Sequence, residues 1–357
     1  MNKYEPYKFA YQWYLKDGYP SKDINFHGCK VFGTFVCGGG STMGYKLAGF
    51  EHLGGVEIDP KVGQVYKLNH KPKHFYLEDI RQFNERQDLP KELYNLDLLD
   101  GSPPCSSFSM AGNRDKDWGK KKVFKEGQTK QVLDDLVFEY IKTIDKLKPK
   151  VALLENVKGL IQGNAKAYTK KIFQQFTKAG YRVQLFLLNA ASMGVPQKRE
   201  RVFFIGLRND FKLPKLKLEF NEKPILFKEV FDKKDSEKNI SNTFYNVWNL
   251  RNEKDRHLGD TTNRMYGYKK YFTCHYQNMN EVCKTLTSSG NNILYDRPRH
   301  LSDLEFKKAG SYPLDYNFKD IQPKYLIGMS VPPVMTAQIS NQIYIQWLSK
   351  IKPFKQL

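Results

Sequence analysis

Residues 100–112 read Asp100-Gly-Ser-Pro-Pro-Cys-Ser-Ser-Phe-Ser-Met-Ala-Gly112 and directly follow an apolar run from Leu96 to Leu99. The run predicts a short buried strand, and the two prolines stiffen the backbone after it. This places Cys105 at the carboxyl edge of the predicted sheet, where open α/β sheets bind ligands. A cysteine on such a turn is either a nucleophile with a lowered pKa or a small buried hydrophobe, and this stretch leaves both interpretations open.

Segments typical of strands and of helices alternate on both sides of this turn, which predicts an α/β fold. The predicted strands are short apolar runs, several of which end in acidic residues: 29–36, 53–59, 75–80, 96–99, 150–157, 181–188 and 201–207. The predicted helices have apolar residues at three- and four-residue steps or a proline in the first turn: 45–50, 60 to about 70, 132–147, 165–178 and a last one through Ile343 and Leu348.

The balance of charges is strongly basic. Lysine and arginine number 58 against 38 acidic residues among 357, so the formal net charge is +20 and the pI is about 9.5. This indicates either a polyanionic partner, most often a nucleic acid, or a lysine-rich solvated surface, and charge alone does not separate the two. With 40% hydrophobic residues the chain can form a sizeable core and two domains.

Cysteine positions show no metal-binding pattern. The five cysteines form no CxxC pair and no zinc spacing, so we expect no metal and a reducing compartment. The N-terminus has no apolar signal segment, and no apolar run is long enough to cross a bilayer. We therefore expect a soluble, cytoplasmic protein without a membrane partner.

A glycine-rich turn, Cys37-Gly-Gly-Gly-Ser-Thr-Met-Gly44, joins the first predicted strand to the first predicted helix. Such a turn lets backbone approach a nucleotide-like ligand closely, although a purely structural turn fits as well. It is not a P-loop, because Tyr45 stands where lysine is required. Glu57, at the end of the second predicted strand, is either a ligand for ribose hydroxyls or a solvated acid.

Three further segments have distinctive compositions. Residues 113–125 are rich in basic and aromatic residues, which indicates a loop that closes over a phosphate backbone or one that is merely solvated. From 209 to 299 helical periodicity fades, and this predicts a separate, irregular domain. Residues 328–333, Gly-Met-Ser-Val-Pro-Pro, are predicted as a strand or turn before the C-terminal helix.

Taken in order, these motifs resemble those of the DNA (cytosine-5) methyltransferases. The residues that match are 35–49 for the cofactor loop, Pro104-Cys105 for the nucleophile turn, Glu155-Asn-Val157 for the ENV motif, Gln197-Lys-Arg-Glu-Arg201 for the QxRxR motif and, more loosely, 299–305 and 328–331 for two C-terminal motifs. The resemblance covers most of residues 31–208 and 284–348. Four ordered matches with sensible spacing make coincidence improbable.

The resemblance implies a transfer of methyl from S-adenosylmethionine to carbon 5 of cytosine, with the base flipped out of the duplex. Cys105 would add to carbon 6 and Glu155 would stabilise charge at ring nitrogen 3. Arg199 and Arg201 would hold the base carbonyl and the nucleotide's phosphate, and Arg201 would also orient Glu155. Because they stand two apart on a predicted extended segment, we expect both arginines to point the same way.

The same resemblance implies a cofactor site on the large domain. The residues expected to line it are Phe35, Gly38, Gly39, Gly40, Glu57 for the ribose, Ile58 and Ile80 around the adenine, Asp79 for its amino group, Pro104, Leu136, Ser330 and Val331. Three positions depart from the family pattern. Gly33 replaces an aspartate, Cys37 a glycine and Met329 an asparagine, and all three border the expected cofactor site.

The implied architecture is a Rossmann-like methyltransferase domain, residues 1–208 completed by 300–357, and a target-recognition domain, residues 209–299. Double-stranded DNA is the implied partner. A cognate restriction endonuclease on a separate chain fits a restriction-modification context, and an epigenetic context is the alternative. We expect a nucleoid-associated monomer.

The rival functions are a transfer-RNA cytosine-5 methyltransferase, a non-catalytic nucleic-acid-binding homologue, and an amino-methyltransferase with an SPPY turn. Cysteine at position 105 disfavours the last of these.

Overall fold

The computed structural model describes residues 7–19, 26–104, 135–162, 165–233, 240–268, 270–288 and 292–351. Cys105 and the basic segment 113–125 lie outside these residues. Contacts between Cα atoms divide the chain into two compact units. The larger unit comprises residues 18–189, 200–220 and 335–357, and the smaller unit comprises residues 1–17, 190–199 and 221–334.

A seven-stranded sheet forms the centre of the larger unit, with strand order β3-β2-β1-β4-β5-β7-β6. The strands are β1 Lys30–Thr34, β2 Glu51–Glu57, β3 His74–Leu77, β4 Leu98–Gly101, β5 Val151–Val157, β6 Tyr181–Asn189 and β7 Glu200–Arg208. Strands β1 to β5 pair in parallel, whereas β7 runs antiparallel to both β5 and β6. The α/β fold class predicted from the sequence is confirmed.

Eleven α-helices are assigned among the described residues. They are α1 Gly40–Leu47, α2 Pro60–His70, α3 Ile80–Glu85, α4 Leu136–Leu147, α5 Lys166–Lys178, α6 Phe227–Val230, α7 Asn242–Asn249, α8 Leu258–Tyr266, α9 Asp303–Ala309, α10 Pro323–Met329 and α11 Pro333–Gln346. Helix α4 packs its apolar stripe into the core of the larger unit, where Tyr140 donates from its hydroxyl to the carbonyls of Leu99 and Leu153. These bonds fasten the helix to β4 and β5, the strands on which the candidate site is built.

Three element predictions are wrong at helix termini. The glycine-rich turn was predicted over 37–44 and the helix after it over 45–50, but α1 already begins at Gly40 and ends at Leu47. Ile80 was expected at the end of a strand but is the first residue of α3, because the Asp79 side chain accepts from the Arg81 amide and caps the helix. Gly328 and Met329 were expected in a strand or turn but close α10, with Ser330 as its C-terminal cap.

The smaller unit is irregular, with short helices and a two-stranded parallel sheet of β8 Tyr276–Gln277 and β9 Ile293–Leu294. One core cluster of this unit includes Trp248, whose indole donates to the carbonyl of Leu294 at 2.9 Å. The boundaries of the target-recognition domain, residues 209–299, stay a prediction. None of the helices built from the described residues is long and apolar enough to cross a membrane.

Candidate active site

Glu155 and Arg201 form an ion pair within the larger unit. Glu155 lies in β5 and Arg201 in the antiparallel β7, where the register pairs Val157 with Arg201 and makes the two charged residues diagonal neighbours. Nε of Arg201 lies 3.0 Å from Oε1 of Glu155, and the two side chains are only 15% and 11% exposed. Burial lowers the pKa of Arg201, and the Glu155 carboxylate opposes that shift. The arginine therefore fixes the direction of a nearly buried carboxylate.

Asn156, to which the sequence assigned no role, fastens this pair to the proline turn. Its side-chain amide is buried and donates to the carbonyl of Pro103 at 3.2 Å. The backbone amide of Val157 donates to the other side-chain atom, Oδ1, at 2.8 Å. The Glu-Asn-Val motif thus holds the backbone of the turn through Asn156 and presents a carboxylate through Glu155. Cys105 follows this turn in sequence but lies outside the described residues.

Arg199 belongs to the smaller unit and contacts backbone within that unit. It is 1% exposed, and its two terminal nitrogens donate to the carbonyls of Leu286 at 2.8 Å and Gly328 at 2.9 Å. The prediction that both arginines point the same way assumed one extended segment, whereas β7 begins only at Glu200. The two guanidinium groups have different partners. Gln197 has a similar role to Arg199, since its amide donates to the carbonyl of Ala309 at 3.2 Å.

The turn between β1 and α1 contains three residues in the left-handed region. The angle φ is 57° at Phe35, 48° at Cys37 and 74° at Gly39. A Cβ at Gly39 would lie 2.0 Å from Nε2 of the buried His70, and the same side chain forms a hydrogen bond with the backbone of Gly38. Both the backbone angle and the imidazole therefore require glycine at position 39.

The departure at Gly33 has a steric reason. A Cβ at this position would lie 2.7 Å from Cγ1 of Val36, which also lies 2.3 Å from the Cβ position of Gly55. Val36 is 9% exposed and its amide donates to the carbonyl of Val56 at 3.2 Å. The Val36 side chain thus fills the space that an aspartate at position 33 would need. On the neighbouring strand, the residue paired with Gly33 is Asp100.

Glu57 is 7% exposed and receives three backbone amides. Cys37 donates to Oε2 at 2.8 Å, and Ile58 and Asp59 each donate to Oε1 at 2.9 Å. Burial raises the pKa of Glu57 although these amides favour the charged form. A carboxylate offers about four acceptor positions, so the geometry leaves room for one hydroxyl donor.

Phe35, Ile80 and Leu136 form one small apolar cluster in the larger unit. Ile80 and Leu136 are the first residues of α3 and α4, and they are 3% and 1% exposed. The sequence expected these three side chains in one site, and the structure brings them together. The half-buried Ile58 follows directly after β2. The edge of the sheet at β1 and β2 therefore carries a glycine turn, a buried carboxylate and an apolar wall.

The Asp79 side chain already has hydrogen-bond and ion-pair partners within the protein, which the sequence did not suggest. Besides capping α3, its carboxylate accepts from the Arg81 guanidinium at 3.0 Å. Ser330 and Val331 belong to the smaller unit and are buried there, with the Tyr312 hydroxyl donating to Oγ of Ser330 at 2.6 Å. Pro104 is the last described residue of the proline turn. The predicted cofactor contacts of these residues stay predictions.

Comparison with known proteins places the chain in a family. A model of the C-5 cytosine-specific DNA methylases matches residues 29–344. Type II methyltransferase M.FnuDI of Fusobacterium nucleatum is 34% identical over 212 residues, which are 58% of this chain and 56% of that protein. Type II methyltransferase M.Bsp6I of Bacillus sp. (strain RFL6) is 27% identical over 335 residues, which are 88% of this chain and 98% of that protein. The matches to the first five curated relatives span 40% to 56% of their length.

Two solved structures share the fold. A candidate DNA modification methyltransferase encoded within an E. coli prophage has a TM-score of 0.64 at 21% identity, covering 89% of this chain and 99% of that chain. A DNMT2 variant of Spodoptera frugiperda has a TM-score of 0.61 at 17% identity, covering 88% and 99%. The family model extends over most of the residues on which both units are built, and the chain belongs to the C-5 cytosine-specific DNA methylases.

Proposed function

We propose that the protein methylates carbon 5 of cytosine in a specific sequence of duplex DNA, with Cys105 as nucleophile. The observation that carries this proposal is the buried pair of Glu155 and Arg201, which Asn156 connects to the proline turn preceding that cysteine. A carboxyl group held in a fixed direction beside a nucleophile turn suits chemistry in which charge develops on a ring nitrogen. The family to which the chain belongs supports the same substrate base.

In the proposed reaction the Cys105 thiolate forms a bond to carbon 6 of a flipped cytosine and pushes an electron pair towards carbon 5. Glu155 donates a proton to ring nitrogen 3 as negative charge develops in the ring, and it takes this proton back when the thiolate leaves. Carbon 5 takes the methyl group and then loses its own proton to a base. The electron pair left behind breaks the bond between sulfur and carbon 6, which regenerates the thiolate.

The two arginines have unequal roles in this proposal. Arg201 orients Glu155 and contacts the flipped nucleotide. Arg199 contributes to holding the base carbonyl or phosphate, but two of its nitrogens already bind carbonyls of Leu286 and Gly328. We therefore expect it to act mainly by positioning this backbone.

S-adenosylmethionine is the methyl donor that the family and fold imply, and it supplies an electrophilic methyl group when bound. The residues present fit such a ligand. Glu57 can accept from a ribose hydroxyl, and the cluster of Phe35, Ile80 and Leu136 offers an apolar surface of the kind that an adenine ring requires. The glycines of the turn allow close approach of backbone to the rest of the molecule.

We assign reading of the DNA sequence to residues 209–299. Twelve large hydrophobic side chains are exposed in the described residues, and six of them lie between positions 245 and 272: Tyr245, Leu250, Met265, Tyr266, Tyr268 and Phe272. The rings of Tyr266 and Tyr268 stack with centroids 5.8 Å apart, and Arg256 nearby in sequence has an 81% exposed side chain. Aromatic and basic groups together suit contact with bases and phosphates.

Replacing both Tyr266 and Tyr268 by alanine is expected to weaken binding of duplex DNA about tenfold or more, since contacts to bases contribute most of sequence discrimination. Binding of S-adenosylmethionine should not change. Tyr94→Ala is a matched control, because this tyrosine is 45% exposed in the larger unit. Equal DNA affinity in the double variant and in the control, measured by fluorescence anisotropy, would remove these tyrosines from the recognition surface.

The function itself is tested by product analysis. Bisulfite sequencing of DNA from cells expressing the protein should show methylated cytosines confined to one short sequence, and purified protein should methylate duplex DNA and not transfer RNA. Methylation of transfer RNA alone would establish the rival substrate. No methylation of either, with DNA binding retained, would establish a non-catalytic DNA-binding protein. The type II relatives support a restriction-modification context. We propose a monomeric enzyme with a cognate endonuclease on a separate chain.

A further inference from the structure

Asp100 is a buried acid next to the candidate cofactor site and takes no part in the proposed mechanism. It lies in β4 and is 4% exposed. The Tyr45 hydroxyl donates to its Oδ1 at 3.1 Å, and the Ser41 side chain forms a second hydrogen bond with the carboxylate. Both partners belong to α1, the helix that begins in the glycine-rich turn. Asp100 therefore links the strand before the proline turn to the helix after the glycine turn.

Among the described residues, no lysine or arginine forms an ion pair with this carboxylate. Its two bonded partners are neutral hydroxyls, and the nearest charge on the adjacent strand β5 is another acid, Glu155. Burial of a carboxylate without a cation is costly, whereas a neutral asparagine would cost far less at the same place. An ionisable group here is therefore best explained by a cation that arrives with a ligand.

The segments on either side of Asp100 are those assigned to the cofactor. Ser41 directly follows Gly38–Gly40 in sequence, and Pro104 lies four residues after Asp100. S-adenosylmethionine carries a positive sulfonium, whereas the product left after methyl transfer, S-adenosylhomocysteine, has a neutral sulfur. A buried negative charge near this site distinguishes the two by charge alone.

We propose that Asp100 is a specificity-determining residue, whose buried carboxylate makes the protein bind S-adenosylmethionine in preference to S-adenosylhomocysteine. The proposal rests on the proposed function, because it requires the cofactor site at the glycine turn. After each turnover S-adenosylhomocysteine would therefore be bound more weakly than S-adenosylmethionine, and this difference favours release of the product.

The charge of Asp100 changes near neutral pH. Burial raises its pKa to about 7, the Glu155 charge adds to this shift, and the hydrogen bonds from Tyr45 and Ser41 oppose it. The other titratable groups facing it are phenols of Tyr45, Tyr66 and Tyr140, whose pKa values burial raises, so they stay neutral. A bound cation favours the charged carboxylate. The preference for the sulfonium ligand should therefore be small below neutral pH and should grow as the pH rises through the pKa of Asp100.

The test is the ratio of the two affinities, measured by calorimetry from about pH 6 to about pH 8.5, because groups that both ligands sense alike cancel in that ratio. The wild-type ratio in favour of S-adenosylmethionine should rise about tenfold across this range, and in Asp100→Asn it should stay flat. Asp97→Asn is the matched control. That carboxylate precedes the same strand and pairs with Lys150 at 2.6 Å, so its loss should affect stability and leave the rise in the ratio intact.

Tyr45→Phe provides a second variant that keeps Asp100 and serves where Asp100→Asn does not fold. Loss of the tyrosine hydrogen bond should raise the pKa of Asp100 further and move the rise in the ratio to higher pH. A ratio independent of pH in the wild type, or the same pH dependence in Asp100→Asn or an unshifted one in Tyr45→Phe, would overturn the proposal. Failure of the wild type to bind either ligand would instead contradict the proposed function.

Discussion

Glu155→Gln is expected to lower the rate of methyl transfer about 100- to 1,000-fold while leaving the affinity for DNA within about threefold. The carboxyl group contributes most when charge develops in the ring, which happens in the transition state and not on binding. Arg201 fixes the direction of the Glu155 side chain at 3.0 Å, so glutamine should retain the shape of the site but cannot transfer a proton to ring nitrogen 3. Single-turnover kinetics and anisotropy binding measure the two effects separately.

Glu200→Gln is the control for the Glu155 variant. Glu200 begins β7, and its 44% exposed side chain pairs with Lys158 at 2.9 Å, outside the proposed machinery. An exposed ion pair contributes little, so this variant should keep the wild-type rate within about twofold. If Glu155→Gln also kept its single-turnover rate, Glu155 would have no part in the chemistry.

Gly39→Ala is expected to reduce the affinity for S-adenosylmethionine at least about tenfold and to lower the free energy of unfolding by about 2 kcal/mol or more. Alanine at a φ of 74° is strained, and its Cβ would lie 2.0 Å from the buried imidazole of His70. Relief of this clash requires the turn or the ring to move. Calorimetric binding and thermal unfolding of the variant measure the two consequences.

Gly180→Ala separates backbone strain from the clash. Gly180 also has a positive φ, 96°, but a Cβ there would meet nothing within 4 Å. The free energy of unfolding of this control should fall only by the contribution of backbone strain, about 1 to 2 kcal/mol. The control should bind S-adenosylmethionine normally. Equal cofactor affinity in the two variants would show that the fit between Gly39 and His70 does not shape the site.

Local signals in the sequence were sufficient for much of the larger unit. Pro60 marked the start of α2, and the spacing of apolar residues marked α4 and α5, because these features act within a few residues. The pairing of Glu155 with Arg201 was expected from the resemblance, and the register of β5 and β7 explains why it forms. Helix termini were less predictable, as Ile80 shows, since capping by Asp79 outweighed the strand propensity.

Contacts between segments distant in the chain could not be predicted. The two carbonyls that Arg199 binds lie 87 and 129 positions away, and periodicity carries no information on such pairs. The hydrogen bond from Asn156 to Pro103 spans 53 positions, and the Glu-Asn-Val motif alone did not suggest it. The reason for glycine at position 33 became clear only once Val36 was seen to fill the space beside it.

The most direct test of the covalent mechanism is a trapping experiment on duplex DNA whose target cytosine carries fluorine at carbon 5. After methyl transfer that carbon holds both fluorine and methyl, so no proton can leave and the thiolate cannot be expelled. We predict an adduct that survives denaturing electrophoresis, requires S-adenosylmethionine, maps to Cys105 and is absent in Cys105→Ser. Methylation of ordinary duplex DNA without a trapped species, or an adduct at another cysteine, would contradict the assignment of the nucleophile.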